Sequence, residues 1–105
     1  MNAKVLLRIA AVLLGVHLAG HTAGHLGWDK SNTPEMAIVI DGMKHVKEPF
    51  MGALRSKADY FMGYSLIMFF VLAMSIALLW IAGNKVNDNK GVVAPLVYPV
   101  GIAYI

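Results

Sequence analysis

Three histidines recur at a spacing of four residues in an apolar stretch near the start of the chain. His17, His21 and His25 belong to a repeated H-x-A-G pattern. On a helix, four residues advance by about 40° beyond one full turn, so the three imidazoles form one stripe, and adjacent members could present two nitrogens to one ligand. Because histidine is costly at membrane depth, this stripe is the best candidate in the chain for binding or redox chemistry.

A metal site is one interpretation of His21 and His25. The HExxH motif of zinc hydrolases also places two histidines at i and i+4, but here no glutamate lies between them, so the hydrolytic base is missing. A third ligand would have to come from later in the chain. The candidates are Asp41, His45, Glu48 and Asp59.

Haem and a quinone-like ligand are two further alternatives. Axial haem ligands usually come from different helices, so haem would need His45 folded inward or a partner chain. A quinone carbonyl could accept a hydrogen bond from His21 or His25, beside Trp28 and Tyr60. We favour a fourth interpretation, in which the histidines are structural and bond to groups of neighbouring helices, as polar side chains do in membrane bundles.

Small residues occupy the helix faces next to the histidines. Ala19 and Ala23 form one stripe, and Gly20 and Gly24 form another. Small residues repeated at this spacing let a second helix backbone approach closely. We therefore predict a helix-packing face here and expect its glycines to make the tightest helix contact.

Composition indicates a membrane protein. Of 105 residues, 58% are hydrophobic and 14% are charged, more apolar surface than a soluble domain of this length could bury. Residues 60–82 carry no charge, and residues 5–27 carry only Arg8 besides the histidines. A span needs about 20 apolar residues. We predict an all-α, polytopic transmembrane helix bundle that forms a single membrane domain over residues 1–105, with helices at 5–27 and 60–82.

Aromatic residues mark the ends of both predicted spans. Trp28 follows the first, Tyr60 and Tyr64 open the second, and Trp80 closes it, as expected at membrane interfaces. A signal peptide is the competing interpretation of the N-terminus. The charge of Arg8 inside the apolar stretch and the histidines after it favour an uncleaved span.

The connector 28–59 contains start signals for two helices. Thr33, Pro34 and Glu35 supply an N-cap, a proline at the first helical position and an acidic first turn. We therefore predict a short amphipathic helix on the membrane surface. Asp41-Gly42 is a competing hairpin signal.

The second start signal is Ser56 to Asp59, which predicts a capping box before the second span. A proton relay from Asp59 to His25 is the less favoured alternative. Asp41 and His45 share a helix face, and we expect a solvated pair there.

The chain ends in a third apolar segment. Residues 83–91 predict a polar turn, and residues 92–105 predict a partial span of about 21 Å with Pro95 and Pro99 inside it. This is shorter than the hydrocarbon core of about 30 Å, so we expect that the natural chain continues beyond Ile105.

Other classes of protein are disfavoured. The net charge of +3 comes without a basic cluster, so nucleic acid is not an expected partner. Cysteine is absent, which excludes disulfides and thiolate metal sites.

The orientation in the membrane is a separate prediction. Short basic flanks near residues 1–8 and 85–90 favour a cytoplasmic N-terminus.

A set of motifs resembles a family of small bacterial four-helix integral membrane proteins without assigned function. The motifs are H-x-x-G-H-T-x-G from His17, F-M-G from Phe50 and R-S-x-x-D-x-x-x-G from Arg55. The resemblance implies a multi-pass protein of the bacterial inner membrane, with one or two helices beyond Ile105. It implies no catalytic residue.

Two classes of function follow. In the first, the chain is a non-catalytic accessory or structural subunit that docks on partner transmembrane helices of a larger assembly, homo- or hetero-oligomeric. In the second, it is a histidine-bearing membrane protein that binds haem, a metal ion or a quinone-like ligand in a redox complex. The absence of a complete ligand set favours the first class, and we expect no enzyme activity.

Overall fold

The computed structural model describes residues 1–105. About three quarters of the chain is helical, in four helices: α1 (Ala3–Gly27), α2 (Pro34–His45), α3 (Lys57–Lys85) and α4 (Lys90–Ala103). Two short strands, β1 (Lys47–Phe50) and β2 (Ala53–Ser56), form an antiparallel hairpin. At 1.5 Å per residue α1 and α3 measure about 37 Å and 43 Å. Both are long and apolar enough to cross a membrane.

The mostly helical prediction is confirmed, with corrections at the helix ends. α3 extends the predicted helix 60–82 by three residues at each end. Gly83 and Asn84, which were predicted to lie in a turn, are helical, so the link between α3 and α4 is only residues 86–89. The apolar and hydrogen-bonding environment of the last turn outweighs the weak helix propensity of these two residues.

The hairpin corrects the all-α prediction. Lys47 pairs with Ser56 and Phe50 with Ala53, so Met51 and Gly52 form a two-residue turn. Their φ angles are +47° and +82°, and positive φ at both positions is the requirement of a type I′ turn. Glycine adopts this conformation readily but methionine rarely does, which is why the sequence signal was weak.

α2 confirms the helix predicted in the connector. The side chain of Thr33 accepts a hydrogen bond of 3.2 Å from the backbone N–H of Met36, and Pro34 occupies the first turn. The competing hairpin at Asp41-Gly42 does not form, because both residues are helical. Ile40 is buried, so α2 has one apolar contact face.

The start of α3 confirms the predicted capping box. The backbone N–H of Ser56 donates to Asp59 Oδ2 over 2.9 Å, and the backbone N–H of Asp59 donates to Ser56 Oγ over 3.2 Å. These two bonds satisfy N–H groups that a helix start leaves unpaired. Asp59 is therefore a cap.

The chain divides into two units. Unit 1 comprises Met1–Ala19 and Phe70–Ile105, and unit 2 comprises Gly20–Phe69. The core of unit 1 is apolar, and its buried side chains are Ala11, Leu72, Leu79, Val86 and Val93, together with Ser75. In unit 2 the buried side chains are Ile40, Ala58, Ser56 and Ser65, so half of this core is hydroxyl-bearing.

α4 is held in unit 1 by one apolar and one polar contact. Val93 is 5% exposed, and the hydroxyl of Tyr104 donates to Ser75 Oγ over 2.9 Å. Ser75 in turn donates to the carbonyl of Val71. These contacts keep α4 helical although Pro95 and Pro99 each remove one backbone donor.

Candidate functional site

The histidine stripe is divided between the two units. His17 is exposed on the part of α1 that belongs to unit 1. His21 and His25 are half-buried in unit 2, where both lie against Ser65 of α3. The candidate site is therefore His21, His25 and Ser65, which we call the histidine–serine cluster.

Short hydrogen bonds join the histidine–serine cluster. His21 Nε2 lies 2.9 Å from the carbonyl oxygen of Ser65 and 3.2 Å from its Oγ. His25 Nδ1 lies 2.7 Å from the same Oγ. A carbonyl oxygen only accepts, so Nε2 of His21 carries a hydrogen and donates. The hydroxyl of Ser65 can donate to Nδ1 of His25 or accept from it.

Ser65 is the member of the cluster that the sequence did not reveal. It is 4% exposed and belongs to a series of buried α3 positions spaced by seven residues, Ala58, Ser65, Leu72 and Leu79. A spacing of seven is typical of one helix face packed along another helix. The signal in the sequence that could have found Ser65 is that it is the one hydroxyl-bearing residue among these four positions. A polar residue in such a face fixes the register of its partner.

The imidazoles of the cluster bond to Ser65, and the metal site at His21 and His25 stays a prediction. Each imidazole has one nitrogen engaged with Ser65, and no group of three or more histidine and carboxylate side chains is arranged to hold a metal ion. The proposed third ligands have other partners: Asp41 pairs with His45, Glu48 with Lys57, and Asp59 with Ser56.

The haem alternative depends on His45 folded inward or on a partner chain. His45 lies on α2, exposed, with its Nδ1 3.0 Å from Asp41 Oδ1. It forms an exposed pair with Asp41, as predicted, and no hydrogen bond joins it to the cluster. Haem binding by His21 or His25 stays a prediction.

Aromatic residues lie near the same end of α1. The rings of Trp28 and Phe61 are 5.2 Å apart, and Lys44 lies 5.6 Å from the Trp28 ring. Phe50 of the hairpin meets Tyr60 edge-on at 5.5 Å. These contacts fasten the hairpin and the end of α1 to the start of α3. The quinone-like ligand, expected beside Trp28 and Tyr60, stays a prediction.

The small-residue face is open. Ala19, Gly20, Ala23 and Gly24 are exposed, and a Cβ added at either glycine would meet no atom within 4 Å. Within this chain no helix packs on them. The predicted close contact at Gly20 and Gly24 is not made within this chain, and packing of a partner helix on this face stays a prediction.

The close glycine contact within the chain is at Gly83, which the sequence did not reveal. A Cβ added there would lie 3.6 Å from Leu7 Cβ, Arg8 Cγ and the carbonyl of Lys4. The start of α1 and the end of α3 are therefore in van der Waals contact at Gly83. At this point Arg8 contacts Trp80 and Asn84 of α3.

Arg8 is the polar centre of unit 1. Its guanidinium carbon lies 4.8 Å from the centre of the Trp80 ring, and Nη2 donates to Asn84 Oδ1 over 2.7 Å. Its Nε is buried without a hydrogen-bond partner. A cation over an indole face is favourable, and this contact fixes the guanidinium of Arg8 against Trp80.

Comparison with protein-family models, curated proteins and solved structures found no match to this chain. The resemblance to small bacterial membrane proteins accordingly stays an expectation from the motifs.

Proposed function

We propose that this chain is a multi-pass protein of the bacterial inner membrane and serves as a non-catalytic accessory or structural subunit of a larger membrane assembly. The observation that carries the proposal is the exposure of α1. Only Ala11 of its 25 residues is buried, while Val12, Leu13 and Val16 are 58–68% exposed. The core helix of a soluble protein would bury such side chains, whereas lipid accommodates them.

α3 supports the same environment. Ile67, Phe70 and Ile81 are 57–68% exposed on a helix of 29 residues. A signal sequence would account for one apolar helix near the N-terminus but not for a second one. Large exposed apolar patches mark contact with a membrane or a partner.

The use of the histidines supports a structural role. His21 and His25 are engaged with Ser65, and in apolar surroundings an unpaired imidazole donor is costly. Their bonds join α1 to α3 in unit 2. The adjacent face of Ala19, Gly20, Ala23 and Gly24 is open and lets a partner helix approach.

Fractionation tests the membrane proposal. Cells expressing the tagged chain are lysed, and the membranes are washed with alkaline carbonate, which removes peripheral proteins. We expect the chain to stay in the pellet and to need detergent for release. Recovery in the soluble fraction, or release by carbonate, would contradict the proposal.

Cysteine cross-linking tests the subunit proposal. The chain has no cysteine, so a single one reports one position. We expect Ala23→Cys to cross-link in oxidised membranes, to itself or to another protein, and Gly24→Leu in the same chain to suppress the product. Ile81→Cys, exposed on α3, is the control. Equal products from both positions, or none from Ala23→Cys, would count against a specific packing face.

The histidine-bearing redox protein is the alternative, and an optical spectrum with metal analysis separates it. A Soret band or stoichiometric metal that is lost in His21→Ala and kept in His17→Ala would replace the structural proposal. His17 is the matched control because it belongs to the same stripe but makes no contact with Ser65.

A further inference from the structure

The net charge of the protein lies entirely in unit 1. Its basic side chains are Lys4, Arg8, Lys85 and Lys90, and its one acidic side chain is Asp88, which leaves +3. Unit 2 holds five basic and five acidic side chains, so its charges balance. All three salt bridges of the chain are in unit 2. The cations of unit 1 have no acidic partner.

Lys4 and Arg8 lie one turn apart on α1. Like charges at i and i+4 repel one another, and neither side chain forms a salt bridge. An anion bound beside both would relieve this repulsion. Arginine suits a phosphate especially well, because its planar guanidinium offers several donors and is weakly hydrated.

An apolar groove lies beside Arg8. Its volume is about 320 Å³, and it lies between α1 and α3 within unit 1. It is lined by Val5, Arg8, Ile9, Val12, Leu13 and Trp80. Arg8 is its single charged residue and lines it with the aliphatic stem, so the exposed surface of the groove is apolar throughout. Lys4 lies one turn before Arg8 on α1, outside the lining of the groove. Hydrocarbon walls with two cations beside them fit an amphiphile whose anionic head stays outside the groove.

We propose that this groove binds one anionic phospholipid, with the phosphate at Lys4 and Arg8 and an acyl chain along Ile9, Val12 and Leu13. The inference rests on the membrane location proposed above. Two other apolar grooves of unit 1 also include one lysine each, Lys85 and Lys90, which extends the attraction for anionic lipid around this end of the unit.

Tryptophan quenching by brominated phospholipids tests the site, because each unit holds one tryptophan. Trp80 lines the groove, and Trp28 lies in the neutral unit. Trp28→Phe and Trp80→Phe leave one reporter each. Both variants are reconstituted in mixed vesicles of phosphatidylglycerol and phosphatidylcholine, with only one of the two lipids brominated. The ratio of quenching gives the preference for the anionic lipid.

Each basic side chain near an anionic surface contributes about five-fold, so we expect a preference of about 25-fold at Trp80, from Lys4 and Arg8 together, and none at Trp28. In the Trp80 reporter, Lys4→Gln should lower the preference to about five-fold. Arg8→Gln should do the same, but Lys4→Gln is the cleaner variant because Arg8 also contacts Trp80 and Asn84. Lys30→Gln removes the same charge from unit 2, where Lys30 has no salt bridge, and should change nothing.

Two outcomes would overturn the site. One is equal quenching of Trp80 by both brominated lipids; the other is an equal loss of preference in Lys30→Gln. Failure of the membrane proposal gives a different result, because then neither tryptophan is quenched by either lipid.

Discussion

Units 1 and 2 combine parts of the same two long helices but hold them together differently. Unit 1 packs an apolar core around Leu72 and approaches closely at Gly83, and its cations have no acidic partner. Unit 2 balances its charges and uses caps, ion pairs and the histidine–serine cluster. The comparison shows that two long apolar helices can be held together by close apolar packing along one stretch and by hydrogen bonds along another.

The largest effect should come from the apolar core of unit 1. Leu72 is 0% exposed, and Leu72→Ala should lower the free energy of unfolding by about 2–5 kcal/mol through lost contacts and a cavity. Leu66, one to two turns earlier on α3 in unit 2, is 48% exposed, and Leu66→Ala is the control. Thermal unfolding in detergent measures both. Equal losses would mean that the two units do not differ in packing.

The glycine contact gives the next effect. Gly83→Leu should cost about 1–3 kcal/mol by overpacking against Leu7 and Arg8, whereas Gly83→Ala should be tolerated because its Cβ has ordinary contacts at 3.6 Å. Gly20→Leu should leave the unfolding temperature of the isolated chain unchanged, because its face is open. A larger loss for Gly20→Leu than for Gly83→Leu would reverse this assignment.

Removing the serine hydroxyl tests unit 2. Ser65→Ala takes the hydrogen-bond partner from His25 and one contact from His21, and should cost about 1 kcal/mol, in the range of polar contacts between membrane helices. Ser75→Ala in unit 1 should cost less, since the side chain that loses its partner belongs to Tyr104, which is 41% exposed and can turn to other partners. Denaturation of the two variants side by side decides the order. If neither Ser65→Ala nor His25→Ala lowers the free energy of unfolding, the histidine–serine cluster does not stabilise unit 2.

The smallest effect is electrostatic and pH-dependent. The hydrogen bond and charge of Lys44 hold the pKa of Asp29 below its ordinary value of 3.8. The pair therefore stabilises unit 2 above that value, and its contribution is lost as the pH falls below it, because the unfolded chain is protonated first. Asp29→Asn should remove this small acid-dependent loss of stability. Glu35→Gln, which removes an exposed carboxylate without a salt bridge, should retain it.

Short-range signals in the sequence predicted much of the local structure. The Thr33 cap with Pro34, the capping box of Ser56 and Asp59, and the uncharged run inside α3 all lie within a few residues of the structure that they specify. The hairpin was missed because its turn requires Met51 at positive φ, a conformation that methionine seldom takes. The turn after α3 was predicted to begin at residue 83. In the structure Gly83 is still helical and lies in close contact with α1.

By itself the sequence determined that two long apolar helices form, which stretches of the chain they include, and that histidines and small residues share one helix. These properties depend on periodicity, caps and hydrophobicity, which act over one or two turns. Only the tertiary structure decided that Ser65 bonds to the imidazoles, although it lies 44 residues from His21 in the sequence. The same holds for Asn84, which accepts a hydrogen bond from Arg8 across 76 residues. Such pairs depend on the register and rotation of one helix against another, which all the contacting side chains set together.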